Sequence, residues 1–190
     1  MNEISGQIGT AAILLAAGRG QRSGHSIPKQ YVSLGGEPVL RRTIRAFQAS
    51  PMIDLIQVVI HPDDAALYDE ATMGLPALPL PVCGGRTRQA SVLLALEALQ
   101  TVSPQCVLIH DAARPFVTGE LLERVIGSVA PGQCAVPALA VSDTLRRGSD
   151  GFLTHIVPRD QLFTMQTPQA FPYDAILEAH RQAARLGQDQ

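Results

Sequence analysis

From residue 10 to residue 130 the sequence repeats one pattern: a short aliphatic run, a turn rich in glycine or proline, then a stretch with helical spacing. Such alternation builds a mostly parallel α/β sheet with helices on both faces. The strands read as residues 11–15, 55–60 (LIQVVI), a short run ending at Cys83, and 106–109. Helical spacing covers residues 37–49, where Pro38 suits a first turn and Val39, Leu40, Ile44 and Phe47 share one face. It recurs from Pro62 to about Ala71, over 86–100 (Val92, Leu93, Leu96, Leu99) and over 118–129 (Leu121, Leu122, Val125, Ile126). In open sheets of this kind ligands bind beyond the C-terminal strand ends, so function is expected in the loops there.

The first of those loops is the most informative. Residues 10–31 read TAAILLAAGRGQRSGHSIPKQY, a buried strand emptying into a loop that holds Gly18, Gly20 and Gly24 among Arg19, Arg22 and Lys29. Glycines let backbone N–H groups close on one anion, and a phosphate is the natural candidate. A dinucleotide fold would need G-x-G-x-x-G opening a long helix, but Gly20 is followed three residues later by Ser23, and Pro28 cuts a helix short. A P-loop would need Gly-Lys-Ser/Thr, and Gly24 is followed by His25 and Ser26. What remains is a pair of cations, Arg22 and Lys29, seven residues apart, able to reach one polyphosphate from two sides. Gly84 and Gly85 precede the helix over 86–100 and offer a second place where backbone donors could meet an anion. The run 106–109 delivers a third loop, His110-Asp111-Ala112-Ala113-Arg114-Pro115.

With 190 residues, 46% hydrophobic and 17% charged, one domain with a sizeable core is sufficient. A formal charge of −2 argues against a general nucleic-acid or membrane-surface binder, so basic residues should matter locally. Cys83, Cys106 and Cys134 are odd in number and widely spaced; they read as buried thiols of a reducing compartment. The apolar N-terminal run follows Glu3 with no Lys or Arg before it, unlike a signal peptide, and the expected location is cytoplasmic.

After residue 130 the pattern changes. Residues 135–141 read as another apolar strand, and 142–158 alternate polar and apolar residues around Gly148 and Gly151, as a protruding hairpin does. An arm without its own core is most economically covered by a second subunit, so a homodimer through about 140–160 is expected. Thr167, Pro168, Gln169 and Phe171 precede a last helix over about 173–186.

Five stretches in one order, LLAAGRGQRSG, PKQY, GGRTRQASV, HDAARPF and VPRDQLFTMQTPQAF, resemble the signature of the 2-C-methyl-D-erythritol 4-phosphate cytidylyltransferase family over nearly the whole chain. The resemblance implies a Rossmann-like nucleotidyltransferase fold with a β-arm, and a reaction in which a polyol phosphate attacks the α-phosphorus of CTP and pyrophosphate leaves. By residue it implies Arg22 and Lys29 as fixed charges on the transition state. Ala16, Ala17, Gly18 and Gly20 would surround CTP, with Gly85, Arg88 and Ser91 at base or ribose, and Asp111 and Ala112 lining the same cleft. Arg159 would position the acceptor phosphate, beside Thr144 and Thr167, with a second subunit completing the site. Magnesium would bridge the phosphates, held mostly by their oxygens, with Asp111 the nearest carboxylate.

The sequence departs from the family in carrying Arg86 and Thr87 where an acidic pair is usual, and in lacking the Thr-Asp-Asp stretch and the last strand bearing Asn-Ile-Lys. The family domain is therefore expected to be cut short, and some relatives carry a second fused enzyme. Two other readings stand: a cytidylyltransferase for another polyol phosphate such as ribitol 5-phosphate, and a non-catalytic nucleotide-binding module. Among single residues, His110 reads as a structural hydrogen-bonding histidine, since an ionised phosphate nucleophile needs no base. Arg114 reads equally as a loop clamp or a ligand contact. Arg41, Arg42 and Arg45 read as a solvated helix face.

Overall fold

Seven residues, Thr10–Ala16 (β1), form the middle of the molecule in the computed structural model, which describes residues 9–19 and 27–187. Their side chains alternate between two apolar layers because successive strand residues face opposite ways. Ala12, Leu14 and Ala16 enter one layer, Ala11 and Ile13 the other. β1 pairs on both sides in parallel register, so it reads as an uninterrupted apolar run.

Following the chain, a short 3₁₀ turn Lys29–Tyr31 leads to a small hairpin, Ser33–Leu34 (β2) and Glu37–Pro38 (β3). Its turn uses Gly35 and Gly36, both at positive φ, as a two-residue hairpin loop requires. The returning strand holds Glu37 and Pro38 extended, so the first helix begins later than its sequence spacing predicts: Val39–Gln48 (α1), with Pro38 before its first turn. Val58, Val59 and their neighbours form Leu55–Ile60 (β4), as predicted. Pro62–Asp64 make a 3₁₀ turn into Ala65–Thr72 (α2), followed by Val82–Cys83 (β5). Arg88–Ala98 (α3) starts where the Thr87 hydroxyl accepts the Ala90 N–H at 3.0 Å, two residues inside the predicted start. Cys106–Asp111 (β6) extends two residues further than expected and therefore contains His110 and Asp111.

The sheet order is β5-β4-β1-β6 in parallel, closed by an antiparallel strand, Gln169–Pro172 (β11). Helices cover both faces. Leu40, Ile44 and Phe47 of α1, Tyr68 and Ala71 of α2, and Leu122 and Val125 of Gly119–Gly127 (α4) pack on one side. Val92, Ala95 and Leu96 of α3 and Tyr173 and Leu177 of Tyr173–Arg185 (α5) pack on the other. Burying each large aliphatic or aromatic side chain is worth about 1.5–3 kcal/mol, which holds the strand ends in fixed relation.

Between α4 and β11 the chain leaves this core. Of residues 135–141 only Ala138–Ala140 (β7) is a strand, and it is exposed; it pairs with Phe163–Met165 (β10) and does not extend the central sheet. Pro137 has no N–H to give a ladder, so Ala135 makes a single bridge to Ala170 and the chain turns away. Leu145–Ser149 (β8) and Phe152–Val157 (β9) form the expected antiparallel arm. Asp150 and Gly151, both at positive φ, make its tight tip. The expectation of three buried thiols is corrected: Cys106 is buried, but Cys83 and Cys134 are exposed, since each lies on a strand or loop at the rim.

Candidate active site

The C-terminal ends of β1, β4, β5 and β6 open into a cleft of about 1030 Å³. Its lining includes Ala17, Gly18 and Arg19 after β1, Lys29 and Gln30 from the 3₁₀ turn, Gly85 to Ser91 after β5, and Asp111, Ala113 and Arg114 after β6. The three loops singled out by the sequence thus converge on one space. Among the described residues, five basic side chains, Arg19, Lys29, Arg86, Arg88 and Arg114, line it against a single carboxylate, Asp111. Such a cleft concentrates positive potential and favours an anion of several charges.

Most of these cations are restrained. Arg19 donates to Asp64 Oδ1 at 2.9 Å and Asp63 Oδ2 at 2.7 Å, and its Nη2 lies 2.6 Å from His61 Nδ1. It is therefore an anchor that ties the first loop to the start of α2. Arg88 approaches Asp111 Oδ1 at 3.3 Å and Arg114 approaches Oδ2 at 3.2 Å. Lys29 differs: it is exposed and pairs with no carboxylate among the described residues.

The glycines after β5 serve close packing. A Cβ on Gly84 would lie 2.6 Å from Ala17 Cβ and 3.0 Å from Ser91 Oγ, so only glycine lets the second loop lie against the first. Their N–H groups are consumed internally, Gly84 on Ile60 O at 2.8 Å and Gly85 on Ser91 Oγ at 3.1 Å. Neither glycine N–H is therefore left for an anion at this loop. Ser91 Oγ in turn donates to Thr87 O at 2.8 Å.

The other expected residues fall into four groups, with Thr167 apart from them. Ala17, Gly18, Lys29, Gly85, Arg88, Ser91 and Asp111 line the cleft together. Ala16 and Ala112 lie beneath it, almost wholly buried, with the Ala112 carbonyl accepting Thr43 Oγ1 at 2.7 Å; Ala113 takes the lining position instead. Thr144 and Arg159 are exposed at the base of the arm, where Arg159 donates to the Ser142 carbonyl, and neither reaches the cleft within this chain. Gly20 and Arg22 lie outside the described residues.

Thr167 lies on the far side of the β6 loop, where it lines a second cavity of about 810 Å³ with His110, Ala113, Arg114 and Gln166. The His110 ring is wholly buried and 5.0 Å from the Phe47 ring. Its Nε2 lies 3.0 Å from Arg114 O, so Nε2 carries the proton and Nδ1 accepts the Thr167 hydroxyl at 2.9 Å. Burial pushes its pKa down to about 4, outweighing the Arg114 carbonyl and the Asp111 carboxylate, which raise it. His110 is therefore the neutral structural histidine that the sequence suggested. Arg114 is a clamp, joined to Asp111 and, at 2.6 Å, to Gln166 Oε1.

The sequence reading missed the structural roles of four side chains, Gln30 and the three arginines of α1. Gln30 is buried and holds the first loop from below. The arginines of α1, expected to be solvated, are clamps: Arg41 caps Ala71 O and Met73 O, Arg42 holds Leu34 O and Gly35 O, and Arg45 pairs with Glu37. Nothing in the spacing of a long side chain reveals which carbonyl it reaches.

A parallel α/β sheet with a cationic cleft across its strand ends, fed by a glycine loop, defines a nucleotidyltransferase-like protein. The chain belongs to the 2-C-methyl-D-erythritol 4-phosphate cytidylyltransferase family, whose family model matches residues 10–190. It is 52% identical over 174 residues to the bifunctional enzyme IspD/IspF of Rhodospirillum rubrum, covering 92% of this chain and 45% of that one. The chain thus spans less than half the length of such curated relatives. Among solved structures, 2-C-methyl-D-erythritol 4-phosphate cytidylyltransferase from Thermus thermophilus superposes with a TM-score of 0.69 at 34% identity, covering 92% of this chain and 76% of that one. The 4-diphosphocytidyl-2C-methyl-D-erythritol synthase from Anaerococcus prevotii gives 0.77 at 27% identity, with 95% and 78% covered.

Proposed function

We propose that this chain transfers the cytidylyl group of CTP to 2-C-methyl-D-erythritol 4-phosphate, giving 4-diphosphocytidyl-2-C-methyl-D-erythritol and pyrophosphate. The observation that carries the reading is an exposed Lys29 that pairs with no carboxylate among the described residues, facing a cleft in which Arg19, Arg88 and Arg114 are paired, in a chain of this family. The acceptor phosphate forms the new P–O bond at the α-phosphorus while the bond to the β-phosphate oxygen breaks, and the leaving pyrophosphate takes that electron pair. No proton need move, since the nucleophile is an anion at neutral pH. The chain's task is to hold two anions in line and to neutralise the growing charge on the leaving group. Lys29 and Arg22 supply that charge, while Ala17, Gly18, Gly85, Arg88 and Ser91 shape the nucleotide's bed.

A divalent cation suits this cleft only as a guest of the phosphates. Among the described residues no three His, Cys, Asp or Glu side chains gather into a metal site. Asp111 is a single half-exposed carboxylate in the cleft, able to give one oxygen to Mg²⁺ if Arg88 and Arg114 turn to the phosphates. When bound, the ion would screen the triphosphate and favour its bent, reactive arrangement.

The arm supports a dimer. Phe152, Leu153 and Ile156 of β9 are 58–76% exposed, large apolar side chains on both faces of the arm that a single chain leaves uncovered. Arg159 and Thr144 at its base would then complete the acceptor site of the partner. Light scattering at micromolar concentration is expected to give twice the chain mass, and Phe152→Asp with Ile156→Asp to give the monomer; a monomeric parent chain would remove the dimer. No helix among the described residues is long and apolar enough to cross a membrane. With three free cysteines, two of them exposed, a reducing cytoplasm is the location we assign.

The decisive assay is pyrophosphate release with CTP and magnesium, offering methylerythritol phosphate and ribitol 5-phosphate in parallel. Release with the first acceptor alone is expected. Release with ribitol 5-phosphate alone would transfer the chain to the other polyol, and none with either would make it a binding module.

A further inference from the structure

Gln30 follows Lys29 in the 3₁₀ turn, is only 2% exposed, and still contributes to the cleft wall. Its side-chain amide nitrogen donates to two carbonyls of the first loop, Ala16 O at 2.5 Å and Gly18 O at 3.1 Å. A primary amide has two N–H bonds, so both are spent on the residues flanking Ala17. In a trans peptide the N–H points opposite to the C=O. Drawing the Ala16 and Gly18 carbonyls towards Gln30 therefore turns the N–H groups of Ala17 and Arg19 away from it and fixes both peptide planes. The turn itself is rigid: Tyr31 N–H donates to Pro28 O at 2.9 Å, and Pro28 and Tyr31 are buried on either side of the Lys29–Gln30 pair.

We propose that Gln30 is a positioning residue, coupling the cation of Lys29 to the backbone of residues 16–19 so that both meet the same phosphate group. The inference rests on the phosphate reading of the cleft. The residue type follows from the geometry. An ionised glutamate would set acceptors against two carbonyl oxygens, asparagine is one methylene shorter, and methionine matches the length with no donor.

Calorimetric binding of inorganic pyrophosphate, with magnesium, to the parent chain, Gln30→Met, Lys29→Ala and the double variant tests the coupling. Gln30→Met is expected to weaken binding about tenfold in the parent and less than about twofold in the Lys29→Ala background, the non-additivity of residues acting as a unit. In turnover with CTP the loss should fall on kcat, with KM for CTP within about threefold. A role confined to stability would lower the thermal midpoint and leave pyrophosphate binding unchanged. Equal losses in both backgrounds, or none in either, would overturn the proposal while leaving the phosphate reading intact. A parent chain that binds no pyrophosphate would overturn the phosphate reading itself. If Gln30→Met does not fold, Gln30→Asn replaces it, neutral but one methylene too short to reach both carbonyls, with the same loss of about tenfold expected.

Discussion

Replacing Lys29 by alanine is expected to lower turnover about 10²–10³-fold while leaving the fold in place, the range found when one preorganised charge or donor is removed from a transition-state site. The two halves of that expectation have separate physical grounds. Turnover falls because Lys29 is exposed to the cleft and unpaired with any carboxylate among the described residues, whereas Arg19, Arg88 and Arg114 are tied to carboxylates. Its charge is thus available to a phosphate without first breaking an ion pair. Stability holds because the anchoring of the turn comes from its neighbours: Pro28, Gln30 and Tyr31 are buried, and Lys29 gives the core nothing. Surface substitutions of that kind stay within about 0.5 kcal/mol. Steady-state kinetics with CTP and methylerythritol phosphate, paired with thermal unfolding, checks both. Lys29→Arg should recover part of the rate, since charge returns in a broader, planar head that does not occupy the place of an ammonium. Turnover equal to the parent's in Lys29→Ala would withdraw the lysine from the mechanism.

The contrast between Lys29 and its neighbours also marks where the sequence was sufficient. β1, β4 and β6 were legible because a strand buried on both faces must be a nearly continuous apolar run. The convergence of three loops followed from parallel topology alone. What the sequence could not give was the partner of each polar side chain. Arg19 read only as one more basic residue of the loop, yet Asp63 and Asp64, 44 and 45 residues away in sequence, hold it at the cleft's edge. Gly84 and Gly85 read as anion donors, yet their N–H groups are spent on Ile60 and Ser91, and their missing side chains matter more than their donors. Residues 135–141 read as a core strand by composition, yet one proline and the pull of β10 put them on the surface. Each miss is a choice between local and distant partners, which short-range spacing does not encode.

A second large effect concerns His110, and its sign can be worked out from burial alone. Folded, the ring sits at a pKa of about 4, held down by desolvation against Phe47 and the sheet; unfolded, it returns to the ordinary 6.5. Above pH 6.5 both states are neutral at this residue and it contributes no pH dependence. As pH falls from 6.5 towards 4, the unfolded chain takes up a proton that the folded chain refuses, so stability drops; below about 4 both states hold the proton and the loss is complete. At about 1.4 kcal/mol per unit of pKa difference, the full loss is about 3 kcal/mol. His180, also depressed by burial, adds a loss of the same sign. His110→Gln separates the two. At pH 7 it should be the less stable protein, since Gln cannot reproduce both the Arg114 carbonyl bond and the Thr167 contact. Its slope between pH 6.5 and 4 should be shallower, so the gap to the parent narrows by about 3 kcal/mol as pH falls. Urea unfolding at half-unit pH steps reads this directly, and parallel curves for the two proteins would mean that His110 takes up its proton in the fold at the same pH as in the unfolded chain. Protonation would put a hydrogen on Nδ1, where the Thr167 hydroxyl now donates, so that hydroxyl would have to turn and accept. Acid stability is thereby set in part by a buried histidine at the end of β6, next to Asp111 of the cleft but needed by no step of the proposed transfer.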